Sequence, residues 1–178
     1  MRLFIGLEPP EPLRAELAAL AIGLPGARWV EADNLHLTLR FIGDVNRAEA
    51  EDLDAELASL RAPPAPVRLQ GIGTFGQGRR VHAVWVGADK DPALVRLHEA
   101  VEGAVMRAGF PKETRKFLPH VTLARLKNPD RARLEGFIGA HNARAFPPFT
   151  AEEVVLYQSH LTRDGAQYEV MERYGLGS

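Results

Sequence analysis

The sequence predicts an α+β fold whose sheet is mainly antiparallel. Three features of the 178 residues lead there: the helical stretches are short, several strands are joined in pairs by tight turns, and no glycine-rich phosphate loop opens a helix. A doubly wound parallel sheet needs a long crossover between paired strands, and turns such as Gly76-Gln77-Gly78 and Asp164-Gly165 leave no room for one. At 46% hydrophobic and 25% charged, the chain has enough apolar material for the core of one domain or of two tightly joined lobes.

Taken in order, Arg2 to Leu7 is an apolar strand stopped by Pro9-Pro10. From Glu11 to Ile22 the spacing of Leu13, Leu17 and Leu20 is helical, with Pro12 suited to a first turn. A short segment, Arg28 to Val30, precedes His36 to Ile42, where apolar and polar residues alternate as in a half-buried strand. An acidic helix is expected from Arg47 to Leu60, and Pro63-Pro64-Ala65-Pro66 marks the clearest internal boundary. Val67 to Phe75 and Arg80 to Val86 form a strand pair about Gly76-Gln77-Gly78; Gly71 and Gly73 lie within it and serve bends rather than a nucleotide loop. Pro92 to Ala108 is helical and ended by Gly109 and Pro111. Pro119 to Leu126 is a strand, Asp130 to Ala140 a helix, and Glu153 to Leu161 with Gln167 to Tyr174 a closing strand pair.

The chain has no cysteine, which removes disulfide frameworks, thiolate metal sites and cysteine nucleophiles and leaves oxygen and nitrogen chemistry. Its first residues meet charge and proline too early for a signal-peptide core, and no stretch nears the roughly 18 apolar residues of a membrane span, so a soluble cytoplasmic protein is expected. The net charge of −1 hides a gradient: residues 1–60 hold 5 Lys or Arg against 11 Asp or Glu, and residues 107–133 hold 8 against 2. The second region suits an anion, although such runs are more often the solvated face of a helix, as Arg131 and Arg133 would be.

One pattern occurs twice, as His36-Leu37-Thr38-Leu39 and His120-Val121-Thr122-Leu123, with the histidines 84 positions apart. With 6 His, 6 Thr and 22 Leu in the chain, composition alone yields two such sites only about 0.0003 of the time. Residues two apart on a strand share a face with about 6.7 Å between them, so an imidazole and a hydroxyl can reach one small anion. Leu37, Leu39 and Phe41 then face the core. If an approximate twofold sets the second strand opposite the first, His36, Thr38, His120 and Thr122 surround a phosphate-sized space. Two imidazoles suit phosphodiester cleavage, because one can take a proton from the attacking oxygen while the other gives one to the departing oxygen. A guanidinium would offset the charge gathered on phosphorus; strict alternation puts Arg40 on the face of His36 and Arg125 on the face opposite His120.

Competing chemistries find less support. Neither motif contains an acidic residue, and there is no H-E-x-x-H or i,i+4 histidine pair for a metal. Ser59, Ser159 and Ser178 lie outside any nucleophile-elbow context. His82, His98, His141 and His160 lack the pattern and read as structural or surface residues, and Phe75, Trp85 and Phe117 read as core rather than as platforms for a base.

The segments HLTLRFIGD and FLPHVTLAR resemble the paired H-x-T motifs of the two-histidine phosphoesterase superfamily, in particular its bacterial and archaeal RNA 2′,3′-cyclic phosphodiesterases, long called 2′-5′ RNA ligases. The likeness extends over essentially the whole chain, through RLFIGL, GIGTF, VHAVWVG and SHLTRDGAQYEVMERYGL. It implies a bilobal fold, with two pseudo-symmetric lobes of mainly antiparallel sheet, helices on the outer faces and a central cleft. Residues 1–178 would form one two-lobed phosphodiesterase domain with one H-x-T motif per lobe. The resemblance also implies hydrolysis, with no required metal, of the 2′,3′-cyclic phosphate end of an RNA to a 2′-phosphate, with 2′-5′ ligation as the reverse reaction; a monomer without cofactor is the separate expectation. It makes His36 the proton donor to the departing 3′ oxygen, His120 the base for water, and Thr38 and Thr122 phosphate ligands. Arg125 is a further phosphate ligand ahead of Arg40, provided a twist of the strand redirects it. The alternative is a non-catalytic module that grips RNA ends through residues 107–133.

Overall fold

The computed structural model describes residues 1–177. Its elements, in chain order, are β1 (Arg2–Leu7), α1 (Glu11–Ala18), β2 (Arg28–Trp29), β3 (Leu37–Asp44), α2 (Arg47–Ala58), β4 (Ala65–Val67), β5 (Leu69–Phe75), β6 (Ala83–Ala88), α3 (Pro92–Arg107), β7 (His120–Arg125), α4 (Arg131–His141), β8 (Phe149–Ala151), β9 (Glu153–Thr162) and β10 (Gly165–Gly175). The α+β expectation holds: the main sheet runs β10-β9-β1-β3-β7-β6-β5, with β2 also paired to β7, and its registered pairs are antiparallel. The two blocks β10-β9-β1-β3 and β7-β6-β5 meet at a single registered pair, Leu37↔Val121.

Alternation assigns the two faces. Leu3, Ile5 and Leu7 of β1, Leu37 of β3, Val84 and Val86 of β6 and Val121 of β7 join one buried cluster with Leu13 and Leu17 of α1, Leu53 and Leu57 of α2, Leu94 and Leu97 of α3, and Leu134 and Phe137 of α4. The intervening residues of β1 and β9 go the other way, where Phe4, Val155 and Tyr157 form a separate small cluster. The helices thus cover one face of the sheet, at about 1.5–3 kcal/mol for each large aliphatic side chain buried, and leave the other for the polar motif residues. Local signals start the helices: an Asn46–Glu49 capping box opens α2, and the Asp91 and Asp130 carboxylates cap α3 and α4.

Three expectations need correction. First, α1 stops at Ala18 rather than Ile22: the chain tightens into turns with Leu20 N–H donating to the Leu17 carbonyl and Ala21 N–H to that of Ala18, which keeps Leu20 buried and leaves Ile22 exposed. Second, the proline-rich boundary contains a strand. Ala65–Val67 pairs with Phe149–Ala151, tying the middle of the chain to its last quarter; prolines are compatible with so short a strand at a sheet edge.

The third correction is the most informative. Strict alternation fails just after the motif in each motif strand, and once more in β3, where Ile42 is skipped between Leu3↔Gly43 and Phe4↔Phe41. Against β1, Ile5 registers with Arg40 but Gly6 with Thr38, so Leu39 is the extra residue of a β-bulge. Against β6, Val84 registers with Ala124 but Trp85 with Thr122, so Leu123 is bulged in the same way. Both members of each following pair, Leu39 with Arg40 and Leu123 with Ala124, are buried. The bulge therefore turns Arg40 away from His36 and brings Phe41, expected in the core, onto the open face at 64% exposure.

Candidate active site

The motif residues lie on the open face, around the one pair that joins the two blocks. Leu37 and Val121 are both fully buried beneath the sheet, so His36, Thr38, His120 and Thr122 project from the opposite side, each half-buried. Neighbours in an antiparallel pair fall crosswise, which sets His36 toward Thr122 and Thr38 toward His120. This is the twofold relation that the duplicated pattern suggested.

Each imidazole is tethered alike. His36 Nδ1 lies 2.8 Å from the Asn34 carbonyl oxygen and His120 Nδ1 lies 2.6 Å from that of Leu118, two residues upstream in both cases. A carbonyl only accepts, so both Nδ1 atoms carry the proton and both Nε2 atoms are left as the reactive nitrogens. His36 Nε2 is 2.8 Å from the Thr38 hydroxyl, which donates to it when the ring is neutral. Gly6 makes the space: a Cβ there would sit 2.8 Å from the Leu37 carbonyl oxygen and 3.4 Å from the His36 ring.

The walls differ. His36 is packed by Phe4 at 4.7 Å between ring centroids, Tyr168 edge-on at 5.2 Å and Tyr157 at 5.7 Å. Burial, helped by the neighbouring His120, holds the His36 pKa down at about 4, against the smaller upward pull of the Asn34 hydrogen bond. His120 meets Phe75 edge-on at 5.0 Å and Trp85 at 5.5 Å, and burial lowers its pKa too, against the Leu118 hydrogen bond. Phe75 and Trp85 are thus half-buried walls of the site rather than core residues. The Trp85 indole fits because residue 73 is glycine: any Cβ there would lie 2.2 Å from it.

The two arginine candidates separate. Arg40 is buried and bonds Glu102 at 2.8 Å, the Pro111 carbonyl at 2.6 Å and the Phe41 carbonyl at 3.0 Å. Each of its three nitrogens is held by the protein on the buried side of the sheet, beside Ile5, so it is turned away from the motif residues and does not face a phosphate between them. Arg125, redirected by the Leu123 bulge, follows two buried residues and stands exposed on the side of His120 and Thr122. Of the other histidines, His98 stacks on Phe117 at 3.9 Å, His160 contacts Glu169 at 2.8 Å and His141 packs on Phe137, as structural or surface residues do. His82 stands apart, exposed and stacked at 6.4 Å on Phe75, itself a wall of the site.

Sequence reasoning missed Asn34, Phe4, Tyr157 and Tyr168. Asn34 holds His36 through its carbonyl while its side-chain amide donates to the Ala166 carbonyl of the β9–β10 hairpin at 3.0 Å. Phe4 was legible, since it alternates with Ile5 in β1; the tyrosines arrive from a hairpin 120 residues away, and only the sheet order reveals them. A cavity of about 610 Å³ lined by Leu3, Val45, Leu156 and Met171 lies elsewhere and contains no motif residue; the chemistry belongs to the open face. Among the described residues no helix is long and apolar enough to cross a membrane.

Comparisons with known proteins agree with this geometry. Residues 9–163 match the family model of the 2′-5′ RNA ligase superfamily. A protein of Methanocaldococcus jannaschii named RNA 2′,3′-cyclic phosphodiesterase is 32% identical over 98% of this chain and 100% of its own length, and one of the same name from Aeropyrum pernix is 35% identical over 84% and 85%. The crystal structure of Escherichia coli LigT complexed with 3′-AMP superposes with a TM-score of 0.79 at 27% identity, covering 99% of this chain and 98% of that one. Fold, paired motifs and likeness over nearly the full length converge: the chain belongs to the 2′-5′ RNA ligase superfamily.

Proposed function

We propose that this protein is an RNA 2′,3′-cyclic phosphodiesterase, a single two-lobed catalytic domain that acts as a cytoplasmic monomer on RNA ends. The observation that carries the reading is the crosswise placement of two tethered imidazoles and two threonines on one face, around Leu37↔Val121. In the reaction, His120 Nε2 takes a proton from water as its oxygen bonds to phosphorus. The bond to the 3′ oxygen breaks, and His36 Nε2 gives that oxygen a proton, leaving the phosphate on the 2′ oxygen. Thr38, Thr122 and Arg125 hold the non-bridging oxygens and balance the charge that builds on them. No metal enters this scheme.

A proton donor must first be protonated, and in the free protein burial keeps His36 neutral at pH 7. The phosphodiester anion supplies the missing term: a negative charge between the imidazoles favours the charged ring and raises its pKa. Once protonated, His36 keeps its bond to Asn34 and turns its Nε2–H toward the ester, and the Thr38 hydroxyl is released to donate to phosphate.

The test is to incubate the protein with an oligonucleotide ending in a 2′,3′-cyclic phosphate, in EDTA. Ring opening to a 2′-phosphate with a bell-shaped pH dependence is expected. Tight binding without ring opening would leave only the RNA-end binding module, and a 3′-phosphate product would exchange the roles of the two histidines.

A further inference from the structure

Arg28 and Arg125 occupy directly opposite positions on β2 and β7. Opposed residues of an antiparallel pair project to the same face, and like charges so placed repel. The next pair confirms which face: Trp29, opposite buried Ala124, packs on Phe137 of α4 beneath the sheet. Arg28 and Arg125 therefore both rise on the side of His120 and Thr122. Both are exposed, and among the described residues neither has a carboxylate within ion-pair distance. Other arginines of the chain also lack such a partner, Arg79 and Arg80 among them, so what marks Arg28 and Arg125 is their opposed placement on the face of the motif residues.

Two exposed guanidiniums rooted at opposed positions of one strand pair, on the side of the motif residues, suit an anion held between them. We propose that Arg28 and Arg125 bind an internucleotide phosphodiester of the RNA strand, next to the terminal phosphate that reacts. The proposal rests on the RNA-end reading above and adds to it a second subsite and a substrate preference. Arg125 borders both phosphates, whereas Arg28 lies on β2, opposite the far end of β7 from His120, and faces only the flanking one. The preferred substrate is then a strand of at least two nucleotides. A nucleoside 2′,3′-cyclic phosphate, which carries the reacting phosphate alone, cannot use Arg28.

The experiment compares wild type with Arg28→Ala on a nucleoside 2′,3′-cyclic phosphate and on a dinucleotide ending in the same group. On the dinucleotide, Arg28→Ala is expected to raise KM about tenfold and to reduce the slope of log KM against log salt by about 0.7, the value for one single-strand phosphate contact. On the mononucleoside both kcat and KM stay within about twofold of wild type. Arg28→Lys, which keeps the charge without the planar fork, falls between. A melting curve shows whether the variant is folded, and Arg28→Gln serves in its place if it is not. An equal penalty on both substrates, or none on either, overturns the subsite. If wild type opens neither ring, the enzymatic reading has failed instead, and binding of the uncleaved dinucleotide by wild type and Arg28→Ala decides the subsite on its own.

Discussion

His36 and His120 begin the same motif, carry the same Nδ1 tether and project from the same face, yet their surroundings are opposites in one respect. His36 sits within three aromatic rings and already bonds its own threonine; His120 has two rings beside it and, among the described residues, no partner at Nε2. The duplication supplied two equal groups, and the walls made them unequal. Acid/base chemistry needs one ring to hold a proton in the complex while the other accepts one, and because the walls alone disfavour the charged form of His36, its role as acid depends on the bound phosphate. The halves differ again at the end of each motif: after the shared bulge, Phe41 stands in the first strand where Arg125 stands in the second, so only one half carries a cation at that position.

The largest expected effect tests whether both halves are needed at all. His36→Ala and His120→Ala should each lower kcat on a cyclic-phosphate oligonucleotide by about 10²–10⁴-fold, and the double variant should lose little more, since the two act in one step. A variant that retained the wild-type rate would reduce the comparison to a structural coincidence. Arg40→Met and Arg125→Ala separate the two arginines next. Removing Arg40 strands the carboxylate of Glu102, whose side chain is 13% exposed, and should cost about 2–4 kcal/mol in denaturant unfolding, somewhat less than a fully buried pair. Arg125→Ala should leave stability within about 0.5 kcal/mol and lower kcat/KM instead. Loss of activity without loss of stability in Arg40→Met would return that residue to the site. Thr38→Val should reduce kcat about 10–100-fold, the worth of one hydrogen bond to a charged group, and Thr122→Val should do the same if the halves are equivalent toward phosphate.

Stability against pH sharpens the comparison further. Unfolded His36 titrates near 6.5 and folded His36 near 4, so between those values only the unfolded chain takes up the proton. Stability is full above pH 6.5, falls as the pH drops toward about 4, and by then has lost up to about 3 kcal/mol through this one group. His36→Gln should flatten that part of the profile in equilibrium unfolding; a profile as steep as wild type would mean that His36 is not the buried imidazole.

The elements and the four motif residues were legible because their signals are local: alternation, caps and a repeated tripeptide. What was not legible follows from single-residue events and from long-range pairing. A bulge at Leu39 or Leu123 leaves composition and alternation looking normal, and yet it reverses the residues that follow it, in β3 as far as the second shift at Ile42, which is why Arg40 was placed beside His36 and Phe41 in the core. The Leu123 bulge is the twist that Arg125 required, a need stated from the pattern but locatable only in the register. The pairing of β4 with β8 hid behind prolines, and the tyrosine wall of His36 depends on the last hairpin joining the first strand.

That wall gives the smallest and most selective prediction. Tyr168 contributes one edge-on contact to His36, while Phe4 and Tyr157 pack on other sides of the ring. Tyr168→Ala opens one side to water, and since burial is the main cause of the lowered pKa, the His36 midpoint should move up from about 4 toward 6.5 in an NMR titration of the imidazole. Tyr168→Phe keeps the ring and should leave it unmoved, which separates enclosure from any role of the phenol. His120 lies against Phe75 and Trp85 and has no contact with Tyr168, so its titration is the internal control. If Tyr168→Ala moved both imidazoles equally, the inequality of the two halves would lie in the charge they exert on each other, and the walls would not be its cause.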